Sequence, residues 1–369
     1  MNILIIAPVG SSFSTGIANA VKITKEILET QYNVLLIDTA TNVDEENIRS
    51  FTFKRLVSFL KIFYTFLTEI KNSKIIYITI SMSLIGFFRD MIFIIFSKLF
   101  LKKVFLHLHG GGYKKYFFVK RNFLIKKLII FVLNKCDKLF ILSENIKNDF
   151  HFINDINKIK IIENTLKPHT GIKTKNFDYL KIIYLSNFIK SKGYELVLKT
   201  CKILSERKIN FKCEMYGKFI NLNDHKNYIN SNQLKTEFLE FIKSNNLADK
   251  IIFSENLNPQ EKYTKLQNAN VFILPSSYPG EGLPISLLEA LVNKLPIIST
   301  KQGAITDIVK DNYNGFIINS SSEVEIVNCL IKLNNDKKLF EMMSENSIKI
   351  YKEKFSYELI KKKTLNEFR

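Results

Sequence analysis

Short apolar runs recur along this chain, each closed by glycine, proline or polar residues and followed by a stretch with helical spacing. NILIIA at 2–7, VLLID at 34–38, and runs at 75–80, 104–109 and 138–142 are apolar at nearly every position. Such strands belong in a parallel sheet covered on both faces. Helical stretches lie between them, at 16–29 and 51–70 for example. Strands alternating with helices predict an α/β fold. The pattern then restarts: strand 181–185, helix 194–207, then strands at 211–216, 251–253, 271–274, 296–299 and 315–318. A chain of 369 residues exceeds what one core serves. The expectation is therefore a first domain at 1–170, a second at 179–353, and a helix at 354–369 that packs back on the first. The joint falls near Pro168–Asp178, where polar residues and Gly171 interrupt both periodicities. Both sheets are expected to present strand C-termini to a central cleft, where α/β folds bind ligands.

Charge is unevenly placed. The chain carries +19, with 26 Lys and Arg against 13 Asp and Glu in residues 1–175 and 28 against 22 in the rest. The basic half points to an anionic partner: nucleic acid, an acidic membrane surface or an anionic substrate. A lysine-rich genome gives the same count. Nucleic acid is disfavoured, because no zinc-finger spacing, RNP motif or Arg-rich stretch is present. The four cysteines, Cys136, Cys201, Cys213 and Cys329, lack CxxC spacing and read as reduced, buried thiols of a cytoplasmic protein. MNILIIAP has no basic leader and reads as a first strand rather than a signal peptide. The longest apolar stretch, 85–101, is broken by Arg89, Asp90 and Lys98, so no membrane-spanning helix is expected.

The most informative segment is SSYPGEGLPISLLEALVNKLPII, residues 276–298. A strand ends at Pro275, a loop with Gly280 and Gly282 follows, and Pro284 suits the first turn of a helix. Loop amides from Gly280 to Leu283 and the helix N-terminus can hold an anion, ideally a diphosphate. Glu281 then lies where it can accept hydrogen bonds from sugar hydroxyls. Glu289, eight positions on, can reach a ribose diol. Spacing alone fits equally well a surface loop and an amphipathic helix with an incidental Glu pair.

This segment, with LEALVNKLPIISTKQGAITDIVKDNYNGFII at 288–318, resembles the E-x7-E signature of the family 4 retaining glycosyltransferases, which have the GT-B fold of two Rossmann-like domains. The resemblance covers Lys181 to Tyr351 and extends more loosely over the N-terminal half. It implies that Glu281 holds the transferred sugar and Glu289 the nucleotide ribose. LSNFIKSKG at 185–193 is similar to the family's Lys-Gly element, which places Lys192 on the donor diphosphate. An Arg usual five residues earlier is Asn187 here, which leaves open whether Lys190 or another cation supplies that charge. PVGSSFSTG at 8–16 resembles the family's first glycine-rich loop, with Gly16 approaching phosphate or acceptor; an ordinary strand-to-helix turn fits as well. In HLHGGG at 107–112, alternation puts His107 and His109 on one side of a strand end. The resemblance assigns His109 a place near the sugar. The pair lacks a third metal ligand, and no Asp-x-Asp motif occurs.

The implied activity is retaining, metal-independent sugar transfer from a UDP- or GDP-linked donor, with no further cofactor. The acceptor is a glycan or polyprenyl-linked glycan for a surface polysaccharide. His109, Lys192 and Glu281 are the catalytic candidates. The basic, aromatic segments Phe51–Ile70 and Phe87–Lys103 suggest attachment to the inner face of the plasma membrane. A sugar-nucleotide epimerase, a glycogen phosphorylase-like enzyme and a non-catalytic sugar-binding protein are the rival readings on the same scaffold.

Overall fold

The computed structural model describes residues 1–10, 16–40, 53–167, 179–221, 230–319 and 322–369. The expected joint at 168–178 lies outside them. The chain divides into two compact units, Met1–Lys167 with Tyr357–Arg369, and Pro168–Ser356.

The first unit holds β1 (Asn2–Ala7), α1 (Gly16–Glu29), β2 (Asn33–Asp38), α2 (Phe53–Glu69), β3 (Ile75–Thr79), α3 (Leu84–Leu99), β4 (Lys103–His107), α4 (Phe123–Asn134), β5 (Lys138–Ile141), α5 (Glu144–Lys147) and β6 (Ile159–Ile161). The sheet order is β2-β1-β3-β4-β5-β6, all parallel. The step from β1 to β2 runs one way across the sheet; those from β2 to β3, β3 to β4 and β4 to β5 run the other. Right-handed crossovers therefore put α1 on one face and α2, α3 and α4 on the opposite face. Phe63 of α2 meets Phe93 and Phe96 of α3 with ring centroids 6.3 and 5.1 Å apart, which knits that outer layer. Within the second basic segment, Phe87, Phe93 and Ile94 are core residues. β6 was not legible: three residues in a lysine-rich stretch give no periodicity, and pairing with β5 alone defines it.

The second unit holds β7 (Leu180–Leu185), α6 (Tyr194–Glu206), β8 (Phe211–Tyr216), α7 (Ser231–Ser244), β9 (Ile251–Ser254), α8 (Pro259–Asn268), β10 (Val271–Leu274), α9 (Ile285–Val292), β11 (Ile297–Thr300), α10 (Ile305–Ile308), β12 (Gly315–Ile318), α11 (Glu323–Asn335) and α12 (Lys337–Ile350). Its sheet runs β12-β11-β10-β7-β8-β9, again all parallel. β7 and β10 are central and completely flanked, so the loops leaving their C-terminal ends lie side by side.

The last helix, α13 (Tyr357–Glu367), belongs to the first unit. Ile360, Leu365 and Phe368 join Ile3, Val21 and Tyr77 in one core cluster. The expected start at 354 is three residues early. A π-helical turn at Tyr351–Phe355 prolongs α12 and buries Tyr351 and Phe355 in the second unit; the extended Ser356 then breaks the helix.

Candidate active site

In the second unit, the loops after β7 and β10 converge. Ser276, just past β10, is buried; its hydroxyl donates to Glu281 Oε2 at 2.6 Å and accepts from the Tyr278 amide at 3.1 Å. The Glu281 amide donates to the Tyr278 carbonyl at 3.1 Å. This tight turn folds the Glu281 carboxylate back toward the strand end. There the Lys192 ammonium donates to both carboxylate oxygens, at 2.8 and 2.7 Å, and stands 4.6 Å from the Tyr278 ring centroid. Glu281 is 4% exposed. Removing one partner of so desolvated a pair leaves a buried charge uncompensated, a cost of about 3–5 kcal/mol.

Two glycines make this approach possible. Gly193 ends the Lys190–Lys192 turn at φ +81°, where a Cβ would stand 2.3 Å from the Pro275 carbonyl oxygen. The same two loops are pinned by the Ser277 amide donating to the Ser191 carbonyl at 2.7 Å. Gly303 has φ +57°, and a Cβ there would fall 2.1 Å from the Glu281 carbonyl oxygen. The Ala304 amide donates to the Gly282 carbonyl at 3.0 Å, so the turn after β11 seats directly on the Glu281 loop. A depression of about 190 Å³, lined by Ser276, Thr300, Lys301, Gln302, Ile318 and Asn319, opens beside it at the ends of β10, β11 and β12.

Gly280, Gly282 and Leu283 continue the loop into α9, with Gly282 and Leu283 buried. Pro284 is the residue before the helix rather than its first-turn member: its carbonyl accepts from the Leu287 amide at 3.1 Å, while its own ψ of 123° is extended. Ahead of Leu287, the first N–H groups of α9 have no preceding helical carbonyl to bond and point out of the helix end. Glu289 sits five residues into α9, where its carboxylate pairs with Lys262 of α8 at 2.5 Å. Asn187 accepts from the Lys218 amide at 3.4 Å through its side-chain oxygen. Lys190 is turned to Glu195 and Glu237, at 3.1 and 3.7 Å, so it is engaged away from Glu281.

The remaining sequence candidates are in the first unit. Gly16 opens α1; residues 11–15 of its loop lie outside the described residues. His107 ends β4 and His109 follows it, with rings stacked at 3.9 Å between centroids. The Tyr77 hydroxyl is 2.6 Å from His107 Nδ1 and 3.4 Å from His109 Nε2. Burial lowers the His109 pKa to about 4 against a smaller opposing effect from Asn164. Burial, reinforced by His109, also pushes His107 well down. Both rings are therefore neutral at pH 7. Among the described residues no three His, Cys, Asp or Glu side chains gather as a metal-ligand set.

Sequence reading passed over Ser276, Tyr278, Lys262 and Gly303. Ser276 and Tyr278 lie in the same motif loop, and a polar residue at a buried strand end was the available signal. Lys262 stands 27 positions before Glu289 on another helix; only tertiary packing joins them.

Residues 169–350 match the family described as glycosyl transferases group 1. A poly(ribitol-phosphate) alpha-N-acetylglucosaminyltransferase of Staphylococcus aureus is 26% identical over 247 residues, 66% of this chain and 46% of that protein. This chain thus spans about half the length of that relative. A UDP-Gal:alpha-D-GlcNAc-diphosphoundecaprenol alpha-1,3-galactosyltransferase of Escherichia coli is 35% identical over 81 residues, 22% of this chain and 20% of that one. The crystal structure of Anabaena HepE in complex with UDP superposes with a TM-score of 0.71 at 14% identity, covering 100% of this chain and 99% of that chain. The fold is thus the GT-B type of α/β architecture, with its two parallel six-stranded sheets. Just under half of this chain, residues 169–350, is thus similar to the glycosyl transferases group 1, and the relatives named here are glycosyltransferases.

Proposed function

We propose that the protein is a retaining, family 4-type glycosyltransferase that moves a sugar from a UDP- or GDP-linked donor to a glycan or polyprenyl-linked acceptor in surface-polysaccharide synthesis at the cytoplasmic face of the membrane. The observation that carries this reading is the buried Glu281 carboxylate, clamped by Lys192 and Ser276 at the head of the loop that enters α9. Glu289 lies one loop and five helical residues further on. The first carboxylate suits sugar hydroxyls and the second a ribose diol, with loop amides and the helix N-terminus for the diphosphate between them. The names of the relatives support the acceptor class: one acts on poly(ribitol phosphate) and another on a sugar carried by diphosphoundecaprenol.

In the reaction the bond between sugar C1 and the diphosphate oxygen breaks, and its electron pair leaves with the oxygen. An acceptor hydroxyl attacks C1 from the face just vacated, and its proton passes to a phosphate oxygen. The products are a nucleoside diphosphate and the new glycoside. Lys192 and the α9 amides stabilise the charge that builds on the leaving oxygen. The Lys192–Glu281 pair must open or share as the donor enters, so each group is held beside the other until sugar and diphosphate take their places. His109, neutral and buried, serves as an uncharged partner to a sugar hydroxyl.

Product analysis tests the reading. Incubation with UDP- and GDP-sugars and membrane-extracted acceptors should release the nucleoside diphosphate and lengthen the acceptor with retention at C1. An altered nucleotide sugar without transfer would instead identify an epimerase. The lysine and backbone phosphate site predicts turnover undiminished by chelator; activity lost in chelator and rescued by magnesium or manganese would refute metal independence.

A further inference from the structure

Between Asp90 and Asp137 the chain has ten basic residues and no acidic one. Asp90 is buried against Arg89, and Asp137 pairs with Lys98 at 2.6 Å, so the two flanks together offset one of the ten. The C-terminal part of this stretch is α4, which is apolar on two sides. Ile129, Val132 and Leu133 face the core. On the outside, Phe123, Lys127, Phe131 and Lys135 follow one another at i, i+4 spacing along a single stripe. Phe123 is 67% exposed, Leu124 74% and Phe131 54%. Lys127 stands 4.4 Å from the Phe123 ring centroid and Lys135 4.8 Å from that of Phe131, and neither lysine has a carboxylate within ion-pair distance among the described residues. In the turn before α4, Lys115 and Lys120 flank the Tyr116 ring at 5.1 and 5.9 Å.

A lysine-rich genome does not explain this surface. In the second unit several lysines pair with acids, as in Lys235–Glu255, Lys265–Glu214 and Lys294–Glu345, whereas residues 91–136 contain no acid. Of 22 exposed large apolar side chains among the described residues, 17 belong to the first unit. Those on α2 and α3, such as Leu60, Tyr64 and Phe88, lie in the same outer layer as α4. Aromatic and aliphatic groups that enter an acyl boundary, ringed by lysines that reach lipid phosphates, form the pattern of an interfacial helix. No helix among the described residues is long and apolar enough to cross a membrane.

We propose that the outer face of α4, with the turn before it, docks the protein on an anionic bilayer, Phe123, Leu124 and Phe131 entering the acyl boundary. Vesicle flotation of the full chain tests this, with phosphatidylcholine alone or mixed with phosphatidylglycerol. The protein should float with the anionic vesicles, less so in high salt, and stay behind with the neutral ones. The triple variant Phe123→Ser, Leu124→Ser, Phe131→Ser should lose partitioning by roughly tenfold or more. Lys127→Glu with Lys135→Glu should lose the preference for anionic lipid. Leu239→Ser with Met342→Ser, exposed in the second unit, should float like wild type. All these side chains are exposed, so unchanged melting temperatures verify folding, and nucleoside diphosphate binding reports separately on the second unit. Wild type that floats with neither vesicle, or a serine variant that floats as well as wild type, overturns the proposal. So does a single-stranded oligonucleotide that displaces the vesicles and binds wild type and serine variant equally.

Discussion

Two carboxylates in the second unit are each held by a lysine, and the two pairs have different consequences. Glu289 is partly accessible on α9, with Lys262 beside it. A ribose diol that takes Glu289 as acceptor gains a charged hydrogen bond, about 1.5–3 kcal/mol. Glu289→Ala should therefore weaken nucleoside diphosphate binding roughly ten- to a hundredfold by calorimetry; unchanged affinity in a folded variant would remove Glu289 from the donor site. Lys192 and Glu281 are more deeply buried, so structure and catalysis are entangled there. Lys192→Ala should cost stability, by about 3 kcal/mol or more, through the stranded Glu281 charge. It should also lower kcat on the order of a hundredfold through the lost stabilisation of the leaving group. The double variant Lys192→Ala, Glu281→Gln should recover most of the stability and none of the turnover. Recovery of both would make the lysine a purely structural counterion.

At the scale of elements, the site depends on turns that only glycine closes. The turn after β11 presses Gly303 against the Glu281 carbonyl with a left-handed backbone. Gly303→Ala adds the left-handed penalty, about 1–2 kcal/mol, to a Cβ contact that the neighbouring backbone cannot yield to. The variant should melt earlier and bind nucleoside diphosphate more weakly, because the displaced backbone carries Glu281. A melting temperature equal to wild type would show that the loop relaxes freely. α13 makes the complementary case. Its end reaches a core built from residues 1–162, with Phe368 in ring contact with Tyr77, Phe105 and Phe140.

Across the whole molecule, the two units should answer differently to acid. His107 and His109 both sit in the first unit with lowered pKa values. Between the ordinary histidine value near 6.5 and the folded value of about 4 for His109, the unfolded chain binds more protons than the folded one. Stability of the first unit is therefore full above that window and falls as the pH drops through it, by up to about 3 kcal/mol for one such group. Asp90 and Asp149, whose pKa values burial raises, act in the opposite sense and blunt the decline. Melting of wild type and His109→Asn from pH 7 to 4 isolates the histidine. The variant should show a shallower loss in the first unit's transition; parallel curves would place the pH sensitivity elsewhere.

Sequence by itself determined the alternation of strands and helices, because continuous apolar runs can only be buried between covering layers. Eleven of the twelve strands among the described residues were legible to within two residues at either end, and β6 was not, since its three residues owe their extension to β5 alone. The motif loop was legible too: Gly280, Glu281, Gly282 and Glu289 are local in sequence, and local spacing fixes where they sit along a loop and a helix. Their partners were not. Lys262 and the Gly303 turn meet the two glutamates through tertiary packing, which no spacing encodes, while Ser276, five residues before Glu281, is local to the loop. The same holds for α4. Apolar residues lie on two of its sides, and spacing does not say which side the sheet covers, because burial of one side is a property of the layer and not of the helix.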